Sequence, residues 1–390
     1  MTIKHLKKHL PSSRTHRALL IANIIMAILY VATAYSGMVR PDTSNFIGKI
    51  APMMNMAFPI LIWMLIPVTA INLYFAREQA LIPFIAVVIA LGPTLRVCPL
   101  NVISPSEEQL NGPNSFKLLT YNICSYRDYT GKRSIDASNP SLAYILAEDA
   151  DIVCLQEAKS DPWGRALAAN VDQYDSIKVR YPYRLSVISG AATIFCKEPV
   201  EIVPTPHMPP GAGVPVPFQG FKTTIKGDSL LVVNCHLQSI GLNNTDKASF
   251  QQMTSGKING EKINVLKNST FNKLAAAFAV RAIQTDSLIQ FINRHKNMNV
   301  IVCGDFNDTP GCWPTRALEN AGLTDAYSES AFGMIHTYNK NRLYFRIDHV
   351  FYRGNFRSID ITRGNQKSSD HYPLCVTFEI ENKTSSNPSE

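Results

Sequence analysis

The chain has 390 residues, of which 46% are hydrophobic and only 17% charged, whereas a soluble globule usually carries about a quarter charged residues. Its formal charge of +8 is concentrated at one end: residues 1–100 hold nine Lys and Arg against Asp42 and Glu78, leaving 29 basic and 28 acidic residues beyond them. The basic excess belongs to the leader, so it is not the footprint of a nucleic-acid-binding domain, which would carry its positive charge on the folded body.

The leader comes first. Between Arg17 and Arg40 lie 22 residues without a formal charge, between Lys49 and Arg77 another 27, and between Glu78 and Arg96 a further 17. A spanning helix needs about 20 apolar residues, with a range of roughly 17–25. Three transmembrane helices are expected, at about 18–38, 51–75 and 80–95, which makes residues 1–97 a membrane anchor with the lipid bilayer as its partner. Pro59, Pro67 and Pro83 are compatible with this, because membrane helices tolerate proline. Lys4, Lys7, Lys8, Arg14 and Arg17 precede the first span and place the N-terminus in the cytoplasm. Arg77 lies on the return to that side, and three crossings leave everything after about Val97 extracytoplasmic. The third span decides this topology. The triplet Ala32-Thr33-Ala34 also fits a signal-peptide cleavage site, and cleavage there would remove the first span without changing the exit side.

Residues 98–113 are polar and bear Pro, Asn and Ser, as a linker does. A catalytic domain is expected over 114–381, followed by a disordered tail at 382–390. Short apolar runs rich in Val, Ile and Phe predict strands over 116–123, 152–156, 191–196, 230–235, 300–303, 344–351 and 374–380. Helices are predicted over 141–149 and 271–294; in the second, Leu274, Phe278, Ala282, Leu288 and Phe291 form one apolar face. Six prolines and two glycines make 204–217 a loop, and the polar stretch 239–268 is a functional or a disordered loop. Cys154, Cys196, Cys235 and Cys303 sit in the strand-like runs as small buried hydrophobes. No Cys-x-x-Cys pair occurs, which argues against a zinc ribbon or a thioredoxin-type site. A secreted domain would be expected to pair some of its eight cysteines.

Five of the strand-like runs end in side chains suited to metal binding or acid–base work. Thr120-Tyr121-Asn122 closes the first, and Asp151 to Glu157 delivers a carboxylate after an apolar run. Asn234-Cys235-His236 delivers an imidazole, and Gly304-Asp305-Phe306-Asn307 a carboxylate and an amide two residues apart, hence on one side of an extended segment. Ser369-Asp370-His371 opens the last strand, shortly after Arg346-Ile347-Asp348-His349. Singly each has a plain alternative, such as a solvated loop Glu, a turn-forming Asp-x-Asn or a core histidine. Together, at the ends of strands in one domain, they suit a catalytic site. Glu157, Asn122 and Asp370 are oxygen ligands for a hard cation such as Mg²⁺ or Mn²⁺. Asp305 with Asn307 could orient and deprotonate a water, His236 and His371 could donate to phosphate oxygens, and Asp348 could fix a histidine tautomer. The chain lacks a Walker-type phosphate loop and a Gly-x-Ser-x-Gly elbow.

The series Thr-Tyr-Asn122-Ile, Leu-Gln-Glu157-Ala, Asn-Cys-His236-Leu-Gln-Ser, Gly-Asp305-Phe-Asn307-Asp-Thr-Pro, Arg-Ile-Asp348-His and Ser-Ser-Asp370-His371-Tyr-Pro resembles the endonuclease/exonuclease/phosphatase superfamily. That superfamily includes pancreatic-type deoxyribonucleases, abasic-site endonucleases, inositol-phosphate phosphatases and bacterial sphingomyelinases. The resemblance implies an α/β fold, a four-layer α/β sandwich of two packed β-sheets flanked by helices, here preceded by a transmembrane helical region. It also implies Asn122 and Glu157 at the metal, Asp370 near it, His236 and His371 at the scissile phosphate, Asp305 and Asn307 at the attacking water, and Asp348 behind His371. Abasic-site endonucleases carry an acidic residue soon after the first-strand Asn; here Ile123, Cys124 and Ser125 follow, so the chain looks nearer the other branches. A shared fold does not choose among substrates. The expected activity is membrane-anchored, divalent-metal-dependent phosphoester hydrolysis, on a lipid head group or a small phosphoester. A membrane-tethered extracytoplasmic nuclease is the alternative, and a non-catalytic binding module a third reading.

Overall fold

A computed structural model describes residues 13–126, 139–158, 171–187, 192–206, 208, 214–241, 260–340 and 344–381. The expected tail at 382–390, the basic residues before position 13 and parts of the two expected loops lie outside the described residues. The helices are α1 (Ser13–Ser36), α2 (Phe46–Phe75), α3 (Leu81–Ile89), α4 (Leu91–Val97), α5 (Glu107–Asn111), α6 (Pro140–Glu148), α7 (Val171–Arg180), α8 (Gly260–Arg294), α9 (Trp313–Asn320) and α10 (Ala326–Ser330). The strands are β1 (Ser115–Asn122), β2 (Ile152–Gln156), β3 (Tyr183–Val187), β4 (Ala192–Cys196), β5 (Val200–Val203), β6 (Phe218–Ile225), β7 (Asp228–His236), β8 (Asn299–Asp305), β9 (Thr324–Asp325), β10 (Asp348–Arg353), β11 (Phe356–Arg363) and β12 (Leu374–Ile380).

The strands form two six-stranded mixed sheets, ordered β11-β12-β1-β2-β4-β3 and β5-β6-β7-β8-β10-β9. Each has one parallel pair near its centre, β1 with β2 and β7 with β8, flanked by antiparallel partners. Alternation along the strands separates their two faces. Phe116, Leu118, Ile152 and Cys154 meet Val232, Ile301 and Cys303 in the core between the sheets. The opposite faces carry Leu119, Val153 and Leu155 against α6 and α7, and Leu231, Val233, Val300 and Val302 against α8 and α9. The expected four-layer sandwich results. A polar bridge crosses the otherwise apolar inter-sheet space: Gln156 Nε2 donates to Asn234 Oδ1 at 2.7 Å, and Asn234 Nδ2 donates to the Leu155 and Thr193 carbonyls.

Several boundaries differ from expectation. β10 starts at Asp348, because Thr337 Oγ1 takes the Ile347 and Asp348 amide protons and keeps the preceding residues out of the ladder. α8 begins at Gly260, so 260–268 is helical rather than loop. β6 and β11, with Lys222, Arg357 and Arg363 on their exposed sides, lack a continuous apolar run and escape such a search. The linker contains α5, closed by a Ser106/Gln109 capping box. None of the eight cysteines is joined in a disulfide.

α1 and α2 are long and apolar enough to cross a membrane. Inside the pair, Asn23 and Asn72 exchange amide hydrogen bonds at 2.8 and 3.0 Å, and Asn23 also donates to Gln79 at 3.2 Å, buried polar contacts that tie the helices to one another. The third apolar segment is not the straight helix expected over 80–95. Arg77–Ile89 and Leu91–Val97 meet at 75°. The cause is Pro93, whose ring cannot sit against the carbonyl four residues back, that of Ile89. The Tyr35 hydroxyl donates to that freed carbonyl at 2.7 Å. The limb Arg77–Ile89 reaches about 20 Å, so only the bent pair taken together could cross.

These helices dock on the sandwich. Arg40 pairs with Asp286 at 2.7 Å, Arg96 with Glu319 at 2.6 Å, and Arg346 donates to the Arg96 carbonyl at 3.1 Å. Gly37 packs so closely that an added Cβ would lie 1.8 Å from the Gly311 carbonyl oxygen, whereas one added at Gly92 would meet nothing. Gly37→Ala should therefore lower the melting temperature of the detergent-solubilised protein by several degrees, the scale of about 1–3 kcal/mol expected for overpacking. Gly92→Ala should not lower it, since the added methyl group meets nothing and Ala suits a helical position at least as well as Gly. Equal melting temperatures for the two variants would mean that the N-terminal helices are not seated on the sandwich in this way.

Candidate active site

The strand registers decide which chain ends meet. Asn122 is opposite Gln156 in the parallel β1–β2 pair, His236 is opposite Asp305 in the parallel β7–β8 pair, and Asp348 is opposite Asp305 across the antiparallel β8–β10 pair. β12 runs antiparallel to β1 with Leu374 opposite Thr120, which brings Ser369, Asp370 and His371 to the same edge. Ser369 Oγ donates to the Asn122 carbonyl at 2.7 Å and fastens that approach.

Asp305 is the hub. Its Oδ2 accepts from Asn122 Nδ2 at 3.0 Å and lies 3.6 Å from both His236 Nε2 and His371 Nε2. Its Oδ1 accepts from the Asn307 amide at 2.8 Å. Asn122 Nδ2 also reaches Glu157 Oε1 at 3.3 Å, and His236 Nε2 lies 3.7 Å from the same oxygen. On the other side His371 Nδ1 and Asp348 Oδ2 are 2.9 Å apart. Six expected residues, Asn122, Glu157, His236, Asp305, Asp348 and His371, thus form one connected network. Asp370 and Asn307 line the same cleft without joining that network by side chain: Lys340 Nζ lies 3.4 Å from Asp370 Oδ2, and Asn307 Nδ2 donates to the Leu237 carbonyl at 3.0 Å.

The local backbone differs from the expected extended Asp305–Asn307 segment. β8 ends at Asp305, and Asn307 has φ +52°, so the segment folds into an Asp-capped turn. Phe306 is fully buried beside Phe351 and His349, as expected for a packing residue. Glu157 also takes a positive φ, +53°, a conformation uncommon outside glycine and one that clusters at functional sites.

Burial pushes the Asp305 carboxyl above the usual carboxylate range, against the pull of the His371 and His236 imidazoles. Burial opposes the charge on His371 too, but the adjacent Asp348 and Asp305 carboxylates outweigh it and raise this imidazole to about 10. His371 is therefore a cation at neutral pH, and its partnership with Asp348 fixes which ring nitrogen faces the cleft.

Among the described residues one trio of possible ligands lies close together, Asp305, Asp348 and His371, with ligand atoms within 4.8 Å of one another. His371 Nδ1 and Asp348 Oδ2 are already engaged with each other, which favours a hydrogen-bonded acid over a metal cage. The expected metal side is different in character. Glu157 and Asp370 present carboxylates to the cleft, hard oxygen donors that fit a divalent cation of the Mg²⁺ type. Asn122 turns its amide N–H toward Glu157 and Asp305 and its Oδ1 toward the Cys124 amide, so only the second lone pair of that oxygen is left for a ligand role.

Sequence reasoning missed the side chains that complete the cleft. Tyr338 packs edge-on to the His371 ring at 5.2 Å, and Lys340 faces Asp370; both lie in an irregular stretch with no periodic signal. Arg281, fully buried on α8, pairs with buried Asp308 at 3.1 Å and donates to the Gln238 carbonyl, joining the loops after β7 and β8. A charged residue within an apolar helical face was the available signal. His349, next to Asp348, is structural: its Nε2 meets the Asp308 carbonyl at 2.9 Å.

A model of the Endonuclease/Exonuclease/phosphatase family matches residues 119–371, and a domain of unknown function, DUF8431, matches residues 16–97. No curated protein matches the chain. Solved structures similar to it include truncated TDP2 of Caenorhabditis elegans, 16% identical with a TM-score of 0.42 over 70% of this chain and 100% of that one. An endonuclease/exonuclease/phosphatase from Beutenbergia cavernae is 14% identical with a TM-score of 0.44 over 69% and 72%. ANGEL2, described as a 2',3'-cyclic phosphatase and solved with adenosine-2',3'-vanadate, is 15% identical with a TM-score of 0.43 over 68% and 96%.

His349 carries a pH prediction. Burial, with the nearby Arg346 cation, lowers its pKa from 6.5 to about 4. Between those values the unfolded chain binds the proton that the folded chain refuses, so stability falls as pH drops from about 6.5 to 4, by up to roughly 3 kcal/mol. His349→Asn should flatten this part of a melting-temperature profile between pH 7 and pH 4.5. A variant as acid-sensitive as the parent would assign the loss to other groups.

Proposed function

We propose that this chain, which belongs to the endonuclease/exonuclease/phosphatase family, is a membrane-anchored hydrolase of phosphate esters that depends on a divalent metal. The observation that carries the reading is the single network of Asn122, Glu157, His236, Asp305, Asp348 and His371 at one edge of both sheets. In this reading residues 1–97 are the anchor, 98–113 a linker and 114–381 the catalytic domain, which lies on the extracytoplasmic side if the bent segment at 77–97 counts as one crossing.

A cation, Mg²⁺ or Mn²⁺, held by Glu157 with Asp370 and Asn122, would supply the positive charge that lets an anionic phosphoester accept a nucleophile. The protein's own groups do the rest. Asp305, whose raised pKa brings it closer to the working pH, accepts a proton from the attacking water. The Asn307 side chain helps orient that water. His371, held charged by Asp348, donates from Nε2 to phosphate oxygens, and His236 faces the same position from β7. Because His371 already holds its proton at neutral pH, it serves as the acid and leaves the base role to Asp305. A nuclease is the second reading; the near-neutral charge beyond residue 100 supports it less, though a nuclease gripping few phosphates needs no strong excess.

Hydrolysis of bis(p-nitrophenyl) phosphate should require added Mg²⁺ or Mn²⁺ and vanish in excess chelator; full activity in chelator would overturn the metal-dependent reading. Asp305→Asn should keep the fold, measured by melting temperature, while kcat drops by about 10²–10⁴-fold with a smaller change in KM. A folded variant within threefold of parental turnover would remove Asp305 from the mechanism.

A further inference from the structure

The cleft joins groups suited to chemistry to apolar side chains. That cleft, of about 350 Å³, is lined by Glu157, Asp305 and His371 and also by Leu274, Phe345 and Met56. Met56 belongs to α2, a helix apolar enough to cross a membrane.

Its height in that helix follows from length. The 30 residues of α2 extend about 45 Å, against a hydrocarbon core of about 30 Å, or about 20 residues. The end remote from the sandwich is marked by exposed Tyr74 and Phe75, then Arg77 and Glu78, as aromatic and charged residues mark a membrane boundary. About 20 residues back from there lies Met56. α1 provides an independent measure, for about 20 residues on from Arg17 lies Gly37, the residue pressed against the Gly311 carbonyl. Both counts end where the anchor touches the catalytic domain. From Ile60 onward, one turn or about 6 Å beyond Met56, Ile60, Trp63, Met64 and Ile66 are exposed.

We infer that the cleft opens at the lipid–water boundary and takes its phosphoester from an amphiphile in the membrane, the phosphate among Glu157, Asp305 and His371 and the alkyl part against Met56, Leu274 and Phe345. This rests on the hydrolase reading above and names its substrate class. A nucleic-acid strand is the poorer fit, because Lys340, the lysine in the cleft lining, is beside Asp370, while Met56, Ile240, Leu274, Phe345 and Ile347 give the cleft an apolar part that a phosphate backbone would not use.

The test compares two esters with the same scissile group. Full-length protein in detergent micelles with Mg²⁺ is assayed on hexadecyl p-nitrophenyl phosphate and on ethyl p-nitrophenyl phosphate, with a single-stranded 20-mer oligodeoxynucleotide as a third arm. The hexadecyl ester should show kcat/KM about 100-fold or more above the ethyl ester, as burial of several methylenes would give. Met56→Asp should cut that ratio about tenfold or more and Met56→Leu should restore it, with melting temperatures recorded on the same preparations. Equal kcat/KM for the two esters, or preference for the oligonucleotide, overturns the amphiphile inference and leaves the hydrolase reading standing. Hydrolysis of neither ester nor oligonucleotide, with Mg²⁺ or Mn²⁺, overturns both.

Discussion

A carboxylate taken out of water needs partners, and the site is organised around that requirement at Asp305. Its side chain is 2% exposed, and an isolated charge at such depth would cost several kcal/mol. Two imidazoles, one side-chain amide and one backbone amide surround it. Each partner is in turn held by a further group: His371 by Asp348, Asn122 and His236 by Glu157, and the Asn307 side chain by the Leu237 carbonyl. The arrangement is one of charge compensation. It keeps an acceptor dry and fixed, and it holds one adjacent imidazole charged.

Such convergence requires a rigid frame. Residues as far apart as Asn122 and Asp305 touch because each terminates a central parallel strand and the two sheets pack with those ends on one side. The Gln156–Asn234 bridge lies just behind the site and crosses between the sheets at the level of the network. A buried polar bridge of this kind contributes less through its energy than through the register it fixes, because any slip would break three buried hydrogen bonds made by its two side-chain amides.

The N-terminal helices are part of this frame. Arg346 is buried, pairs with Asp325 at 3.2 Å, stacks over the Tyr327 ring and donates to the carbonyl of Arg96 at the end of α4. Two residues later comes Asp348, the partner of His371. The segment that orients the histidine is thus pinned both to the sandwich and to the helical leader. Gly37 allows a further close approach, since a Cβ there would lie 1.8 Å from the Gly311 carbonyl oxygen.

Much of this protein was legible in its sequence. Composition separated the apolar leader from the near-neutral body, and strand ends bearing Asn122, Glu157, His236, Asp305 and His371 marked the site, because burial periodicity and side-chain chemistry are local properties. The helix 271–294, the strands 116–123 and 374–380 and the burial of Phe306 were equally legible. What escaped depends on contacts distant in the chain. The bend at Pro93 needs Tyr35 to take the freed carbonyl, the early start of α8 lies in a polar stretch with no apolar stripe, and the turn at Asn307 forms because Asp305 accepts its amide. Sequence by itself determined the class of fold and the residues able to do chemistry; tertiary structure alone decided which of them share Asp305, that His371 stands between two carboxylates, and that Met56 of α2 forms part of the cleft wall, since each depends on distances between segments that the chain order does not contain.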